Sequence, residues 1–321
     1  RFPNADTANY GKGPERPVYR CTGKEQGLFG YKNRATGIAS TAGKFASAFA
    51  RGSSVYGAID GEYSELLRAK AVAAFDYGLR NPGSCQTAPG RAPYFYEEDN
   101  WVDDMELAAI ELYRLTGDAY YLEHAVAFGR QEKITPWIGA DTARHYQWYP
   151  FMNMGHPVIA SESGTAGHRE EFLGYMKEGL QLLEARGKKN PFLIGVPFIW
   201  CSNNLVAATL TQAHLYRSIS GDNSFRELEA AHRDWLFGCN PWGTSMIVGL
   251  PENGDYPVNT HSSYVLRGEQ VPGGLVDGPV YSTIFNNLKY IYLSEEDEYS
   301  RFQTSLAVYH DDFADYSTNE C

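Results

Sequence analysis

The stretch VDDMELAAIELYRLTGDAYYLEHAVAFGRQ, residues 102–131, decides the fold of this chain. Apolar residues recur in it at the three- and four-residue spacing that places them on one face of a helix. Thr116-Gly117-Asp118 interrupts this pattern with residues that end one helix and begin the next. The stretch therefore predicts two consecutive helices, 102–118 and 118–131, joined by a short turn.

The same alternation of long helix and short turn continues on both sides of this pair. Helical patterns also cover residues 38–56, 61–83, 168–187, 203–222 and 223–240. Each segment carries small Ala and Gly residues on one side, which lets neighbouring helices approach closely, and almost no segment has the period-two pattern of a strand. This succession predicts an all-α architecture of helical hairpins, arranged as a bundle, a solenoid or a toroid.

The boundaries and faces of the first two of these helices can be predicted from single residues. Thr41 is a plausible N-cap for the first helix, and Asn81-Pro82-Gly83 stops the second. The predicted apolar face of the first helix consists of Ala42, Phe45, Phe49 and Ala50.

Three segments lack the helical pattern. Residues 1–37, 133–165 and 240–279 are punctuated by Gly and Pro and predict irregular structure. Loops as long as the last of them are usually functional when they occur inside a compact domain. Because no low-complexity tract or clear linker divides the chain, we predict a single domain over residues 1–321.

The composition excludes several classes of protein. Hydrophobic residues make up 43% and charged residues 21% of the 321 residues, as in ordinary globular chains. The net charge of −11 argues against a nucleic-acid partner, because no basic surplus meets the phosphates. No apolar run approaches the roughly 20 residues of a membrane span, so no membrane span is predicted.

The five cysteines are scattered, odd in number and free of any C-x-x-C pair. This pattern is typical neither of a disulfide scaffold nor of a zinc site, although it is compatible with one bridge. Arg1-Phe2-Pro3-Asn4 leads into polar, Gly-rich sequence and not into a signal peptide. We therefore expect a chain that is cytoplasmic or that has lost an N-terminal region, and the motifs below favour the second case.

The last thirteen residues, YHDDFADYSTNEC (309–321), place four carboxylates among aromatic side chains. Cleavage of sugars needs a carboxyl group that stays protonated near neutral pH, and apolar surroundings raise a carboxyl pKa. Aromatic rings can also stack on the C–H faces of a pyranose. Composition alone favours a solvated acidic tail, because such tails are common.

Seven segments, in consistent order over residues 2–321, resemble motifs of glycoside hydrolase family 9, the inverting β-glucanases with an (α/α)6 toroid. They are IASTAGKFASAFARGSSVY, WVDDMELAAIELYRLTGDAYYLEHA, YQWYPFMNM, WCSNNLVAATL (similar to W-G-S-x-R), HRDWLFGCNPWGTSMIVG, GGLVDGP and the terminal aromatic-x-Asp-x4-aromatic-x3-Glu pattern. The resemblance implies that fold and hydrolysis of β-linked glycans with inversion of the anomeric centre.

The resemblance also implies roles for individual residues. Glu320 matches the general acid that protonates the glycosidic oxygen, and Asp311 matches the signature aspartate that shares its site. His261, in YPVNTHSSY, falls where the family has a sugar-binding histidine, although taken alone it would be interpreted as a loop histidine. The rings that fall where the family lines its cleft are Trp101, Trp148, Trp200 and Tyr316. For any of these tryptophans alone, core packing is an equally good interpretation.

Three departures from the family pattern affect these expectations. The general base belongs to a D-A-G-D motif upstream of the region where this chain begins, so we expect a second carboxylate, roughly 6.5–9.5 Å across the cleft, to come from an N-terminal portion of the same protein. The chain also ends where the final family helix should start. Ser263 and Asn204 stand where the family has arginines, which points away from ordinary cellulose cleavage.

Several functions remain open at this stage. The main hypothesis is hydrolysis of a β-1,4-glucan-like polysaccharide or oligosaccharide by a secreted or periplasmic enzyme without a cofactor. The alternatives are an exo-acting β-glucosidase or β-glucosaminidase of the same family, and a non-catalytic carbohydrate-binding remnant. A serine or metal hydrolase lacks support, because neither Gly-x-Ser-x-Gly nor His-Glu-x-x-His occurs. Structural calcium near the acidic loops is a further expectation from the resemblance.

Overall fold

A computed structural model describes residues 22–26, 33–86, 98–140, 152–288 and 291–318 of the protein. The described residues form two compact units, which are treated separately below. The first unit contains residues 22–136 and 152–177, and the second contains residues 137–140 and 178–318. The prediction of a single domain over 1–321 stays a prediction.

Helices dominate both units. In chain order the elements are α1 Ala39–Tyr56, α2 Gly61–Arg80, α3 Val102–Thr116, α4 Ala119–Gln131, α5 Pro136–Ala140, α6 Gly155–Ser161, a 3-10 helix Ser163–His168, α7 Arg169–Gly187, α8 Ser202–Ser220, α9 Arg226–Leu236, α10 His261–Val265, β1 Val280–Tyr281, α11 Ser282–Asn286, β2 Ala307–Val308 and a 3-10 helix Tyr316–Thr318. In the described part of the chain, the one sheet is the antiparallel pair of β1 and β2. The all-α prediction is therefore confirmed.

The pair α3 and α4 forms at the predicted place, and its turn follows from two residues. Gly117 adopts the left-handed conformation, with φ 72°, and donates its N–H to Tyr113 O, which closes α3. Asp118 then caps α4 by accepting a hydrogen bond from the Tyr120 N–H at 3.0 Å. The local sequence is sufficient to dictate this helix–turn–helix.

Helix α1 differs from the prediction in its cap and in its buried face. It begins at Ala39, so Thr41 lies inside the helix and is not its N-cap. No side chain caps this helix; instead, the Ser40 N–H of its first turn donates to the backbone oxygen of Gly83 at 3.3 Å. Phe45 is 54% exposed and does not belong to the core face. The buried residues of α1 are Ala39, Ser40, Ala42, Gly43, Ala46, Ala50 and Ser53.

The reason for this small-residue face is the close approach of α1 to α3. A Cβ atom on Gly43 would lie 2.7 Å from the carbonyl carbon of Asp104. Helix backbones this close leave no space for a phenylalanine, so Phe45 and its stacked neighbour Phe49 lie away from the contact.

The predicted irregular segments were partly wrong. Within 133–165 the chain forms α5 and α6, whereas 240–279 is largely irregular and contains the short helix α10. The predicted helix 223–240 is confirmed with narrower bounds, as α9. Cys85 is disulfide-bonded, while Cys201 and Cys239 form no disulfide, in agreement with the single bridge that the sequence allows.

The core of the first unit contains ionisable side chains in unusual number. His156 Nδ1 lies 2.7 Å from Glu106 Oε1, and the Lys44 ammonium lies 2.6 Å from carboxylate oxygens of both Glu98 and Asp104. Burial alone would lower the pKa of His156, but the Glu106 carboxylate outweighs this effect and raises it. These charges are thus held in the core by specific partners.

Glu132, at the end of α4, is the exception within this cluster. Its Oε1 atom is buried without a hydrogen-bond partner among the described residues. Burial, together with the negative charges of Asp103 and Glu106, raises the pKa of Glu132 to about 9. A protonated, neutral side chain at neutral pH follows, because burial disfavours the ionised carboxylate more than the hydrogen bond from the Asn100 side chain favours it.

We expect Glu132 to make the protein more stable at mildly acidic than at alkaline pH. A carboxyl group whose pKa is raised on folding binds its proton more tightly in the folded state. Its contribution to stability is complete at pH values below the ordinary pKa of the group, and it is lost as the pH rises towards the raised pKa of about 9. The contribution to the free energy of unfolding should fall by up to about 1.4 kcal/mol per pH unit between pH 6 and pH 8.

Urea unfolding of the wild type and of Glu132→Gln at both pH values measures this slope. The variant should show a shallower fall. Glu123→Gln is the control, because Glu123 is exposed on the same helix and should leave the slope unchanged. An identical slope in Glu132→Gln and in the wild type would contradict the expectation.

Candidate functional site

The candidate site is built around the terminal segment, which is described from Tyr309 to Thr318. Tyr309 and Ser317 are completely buried, and the segment is seated in the second unit. The interpretation of these described residues as a solvated tail is therefore wrong. Glu320, the predicted acid, and Trp148 lie outside the described residues.

Asp311 binds the loop that leads into α10. Its Oδ2 accepts the Val258 N–H at 2.8 Å and its Oδ1 accepts the Asn259 N–H at 3.0 Å. Burial raises the pKa of Asp311 to about 6, although the two N–H groups favour the ionised form. His261 follows this loop as the first residue of α10, so Asp311 fixes the approach of the chain to the predicted sugar-binding histidine.

Asp312 binds a second loop in the same way. Its Oδ2 accepts the N–H of Ser294 at 2.6 Å, the Ser294 hydroxyl at 2.8 Å and the N–H of Glu295 at 3.1 Å. Its Oδ1 accepts the Ala314 N–H at 2.8 Å, which also closes a turn in the terminal segment itself. The carboxylate therefore has donors on both oxygens although it is buried.

Asp315 stabilises the segment from within. Its Oδ2 lies 2.7 Å from His310 Nδ1 and accepts the Ser317 hydroxyl at 2.8 Å. The imidazole of His310 also faces Asp297, at 3.8 Å from its Nε2. The conformation two to five residues before Glu320 is consequently fixed by side-chain contacts.

Two aromatic contacts connect the terminal segment to other elements. Phe313 stacks on Tyr264 of α10, with ring centroids 4.2 Å apart and an interplanar angle of 10°. Tyr316 contacts Trp200 edge-on, with ring centroids 5.1 Å apart. Trp200 lies two residues before the first residue of α8. The structure thus brings together three predicted site residues, Asp311, Tyr316 and Trp200, with the loop that carries His261.

A cavity of about 180 Å³ opens beside Asp311. Its described lining consists of Val258, Asn259, Leu293, Glu295, Glu296, Asp297, Glu298, His310, Asp311 and Asp312. Six of these ten residues carry carboxylates, so the cavity favours hydrogen-bond donors and positive charge.

The remaining predicted residues have other surroundings. Trp101 lies in the first unit, directly before α3, where its ring meets Phe128 edge-on at 6.0 Å. The described residues contain no cluster of three or more His, Cys, Asp or Glu side chains placed to hold a metal ion. The calcium that the resemblance implies therefore stays a prediction. None of the described helices has the length and apolarity needed to cross a bilayer.

Comparison with known proteins gives a consistent result. The model of the glycosyl hydrolase family 9 matches residues 3–321. The chain belongs to glycosyl hydrolase family 9. It is 27% identical over 265 residues to Endoglucanase 21 of Oryza sativa subsp. japonica, a match that covers 74% of this chain and 49% of the relative.

Solved structures of family 9 show the same fold. A Zn-binding triple mutant of the GH family 9 endoglucanase J30 superposes with a TM-score of 0.66 at 22% identity, covering 88% of this chain and 51% of that one. AaCel9A in complex with cellobiose-like isofagomine gives a TM-score of 0.66 at 22% identity, with 88% and 52% covered. The chain thus has part of the (α/α)6 fold of the family, as the sequence predicted, and spans about half the length of the three proteins named above.

Sequence reasoning missed the roles of several residues in this candidate site. Asp312 and Asp315 were noted only as part of an acidic run, and His310 was not singled out. The signal available in the sequence was the alternation of aspartates with Ser, Thr and Ala, which is typical of turns that use side-chain acceptors. The loops that supply the donors could not be identified without the tertiary structure.

We expect the Asp312 carboxylate to contribute measurably to stability. Asp312→Ala leaves the N–H groups of Ser294, Glu295 and Ala314 without their acceptor and should lower the free energy of unfolding by about 1–3 kcal/mol. Glu296→Ala, at an exposed carboxylate of the same cavity, should change it by less than about 0.5 kcal/mol. Chemical denaturation measures both, and equal losses in the two variants would contradict the assigned role.

Proposed function

We propose that this chain supplies the acid half of an inverting glycosidase that cleaves β-linked glycans. The observation that carries the proposal is the terminal motif of a family 9 chain, Tyr309-x-Asp311-x4-Tyr316-x3-Glu320, whose described residues Tyr316 and Asp311 contact Trp200 and the loop of His261 respectively. Sugar hydrolysis requires an acid beside a surface that binds a pyranose ring, and this segment combines the two.

In the proposed reaction, the carboxyl group of Glu320 donates its proton to the glycosidic oxygen as the bond to the anomeric carbon breaks. A water molecule attacks the opposite face of that carbon, and a carboxylate supplied from outside this chain accepts its proton. The anomeric configuration inverts in this single displacement. Activity of the 321 residues on their own is therefore expected to be low or absent.

The other residues of the site bind and position the substrate. Trp200 and Tyr316 offer ring surface for a pyranose, and His261 offers a hydrogen bond to a hydroxyl group. Asp311 acts through the loop at Val258 and Asn259, because both of its carboxylate oxygens already accept backbone N–H groups. We assign it a positioning role and not a step in proton transfer.

A β-1,4-glucan is the substrate class that the relatives favour, since two of those named above, Endoglucanase 21 and J30, are endoglucanases. A second candidate is a β-linked glucosaminide. Six carboxylates line the cavity beside Asp311, and Ser263 and Asn204 stand where the family resemblance leads us to expect arginines. A cationic amino sugar would find more attraction there than a neutral glucan.

The location and the partner of the chain follow from the same proposal. A disulfide at Cys85 is typical of proteins outside the reducing cytosol, so we propose a secreted or periplasmic enzyme. The partner is an N-terminal portion of the same protein, which would contribute the base. No cofactor is needed for this chemistry.

The decisive variant is Glu320→Gln, tested in a version extended towards the N terminus by its natural sequence. Loss of the acid should lower the rate of reducing-sugar release by at least about 100-fold, because general acid catalysis contributes roughly that factor. Binding of an oligosaccharide should persist. Full activity of Glu320→Gln would rule out the assigned acid.

Substrate choice is tested on the same extended protein. Equal concentrations of β-1,4-glucan, mixed-linkage glucan, xyloglucan and chitosan oligosaccharides separate the two candidates. Turnover of the glucans alone supports the first candidate, and preferential turnover of chitosan oligosaccharides supports the second. Failure to cleave any of them would favour the non-catalytic carbohydrate-binding alternative.

Trp200→Ala tests the binding surface independently of catalysis. Removal of a stacking ring should weaken binding of a cello-oligosaccharide by about tenfold, which corresponds to ~1.4 kcal/mol. Phe302→Ala removes an exposed ring elsewhere in the second unit and should have no effect. Titration calorimetry measures both, and equal affinities of the two variants would argue against a sugar-binding role for Trp200.

A further inference from the structure

The four residues Val276, Asp277, Gly278 and Pro279, here called the strap, connect the start of α8 to the terminal segment. At one side, the N–H of Asn203 donates to Asp277 O at 3.0 Å, and the Asn203 side chain donates to Val276 O at 2.9 Å. At the other side, the Gly278 N–H donates to Ser317 O at 3.0 Å. The strap therefore lies between the two segments that carry the proposed sugar-binding rings.

The strap packs closely against the first residues of α8. Gly278 has a φ of +89°, and a Cβ atom at this position would lie 2.4 Å from the Asn203 side chain. The Ser202 hydroxyl donates to Pro279 O at 2.7 Å. A contact this tight transmits a displacement of the strap to the first turn of α8.

Cys201, which directly precedes α8, has an unusual backbone conformation. Its φ of 60° and ψ of 35° lie in the left-handed region, which disfavours side chains other than glycine. The motif W-G-S-x-R, which this segment resembles, has glycine at this position. Strained residues of this kind persist where surrounding contacts hold them, and they concentrate at functional sites.

The contact that faces this strained residue is the side chain of Asp277. Cys201 Sγ lies 3.4 Å from Asp277 Oδ1, and the two residues are 3% and 5% exposed. A hydrogen bond from a thiol to a buried carboxylate restrains both groups, because such a bond is electrostatically stronger in the low-dielectric protein interior than in water. The residue before Cys201 is Trp200, whose ring contacts Tyr316.

We propose that Cys201 and Asp277 are positioning residues that set the Trp200 ring and the terminal segment in register for glycan binding. The inference rests on the proposed function. Neither residue touches the sugar. The Cys201–Asp277 contact stabilises the left-handed conformation of Cys201, which orients the Trp200 ring towards Tyr316. The strap connects this contact to Ser317, which lies three residues before Glu320.

The test uses the same N-terminally extended protein and a variant series at Cys201 and Asp277. Cys201→Ala removes the donor to Asp277, and Cys201→Ser retains a hydroxyl donor at nearly the same place. Asp277→Ala removes the acceptor. Asp222→Ala serves as the matched control, since Asp222 accepts hydrogen bonds from Tyr216 and Ser224 at the other end of α8.

Two readouts are measured for each variant. The first is the dissociation constant for cellotetraose, obtained by titration calorimetry. The second is acrylamide quenching of the Trp200 fluorescence, obtained as the difference between each protein and the same protein with Trp200→Phe. Unfolding midpoints are recorded beside them, so that a loss of stability alone is recognised.

Cys201→Ala and Asp277→Ala should weaken cellotetraose binding by about tenfold and increase quenching of Trp200. Cys201→Ser should remain within about twofold of the wild type, and Asp222→Ala should lower stability without changing either readout. Wild-type affinity in Cys201→Ala, or an equal loss in Cys201→Ser, overturns the proposal.

Failure of the proposed function gives a different result. If the wild type binds neither cellotetraose nor a chitosan oligosaccharide, the glycan function is wrong. The quenching readout then decides the positioning pair by itself. Increased quenching of Trp200 in Cys201→Ala supports the pair, and unchanged quenching overturns it.

Discussion

The second unit depends on one kind of interaction, the hydrogen bond from a loop backbone N–H to a buried carboxylate. Irregular chain leaves its N–H groups without the partners that a helix or a sheet provides, and buried groups of this kind must be satisfied. Asp311 and Asp312 supply those acceptors to the loops at Val258–Asn259 and Ser294–Glu295. The donors in turn offset the cost of placing negative charge in the protein interior. Acidic residues that resemble a flexible tail are thereby part of the packed structure.

This arrangement explains how a long irregular excursion can serve a site that requires precise geometry. Loops carry binding residues well only when a rigid support positions them. Here the support is the terminal segment, which holds α10 through the ring contact of Phe313 with Tyr264 and holds Trp200 through Tyr316. The first unit uses a different device, in which small residues such as Gly43 let helices approach until backbone meets backbone.

Much of the site could be inferred from motif order alone, but the roles within it could not. The resemblance to family 9 motifs singled out Asp311, Tyr316, Trp200 and His261, and the structure places the first three and the loop of the fourth around one segment. The resemblance to family 9 implied only that Asp311 shares the site of the acid. Its two backbone donors indicate that it also shapes a loop, and those donors lie 52 and 53 positions earlier in the chain.

The sequence by itself determined the long helices and the turn between α3 and α4, because the apolar spacing, Gly117 and the Asp118 cap act over a few neighbouring residues. It also determined the family, because motif order survives at low identity. Only the tertiary structure decided which face of α1 is buried, what Asp311, Asp312 and Asp315 bind, and that the Cys201 thiol meets the Asp277 carboxylate. These outcomes depend on groups that are distant in sequence and adjacent in space, such as the Cys201 thiol and the Asp277 carboxylate, and no local pattern encodes that proximity.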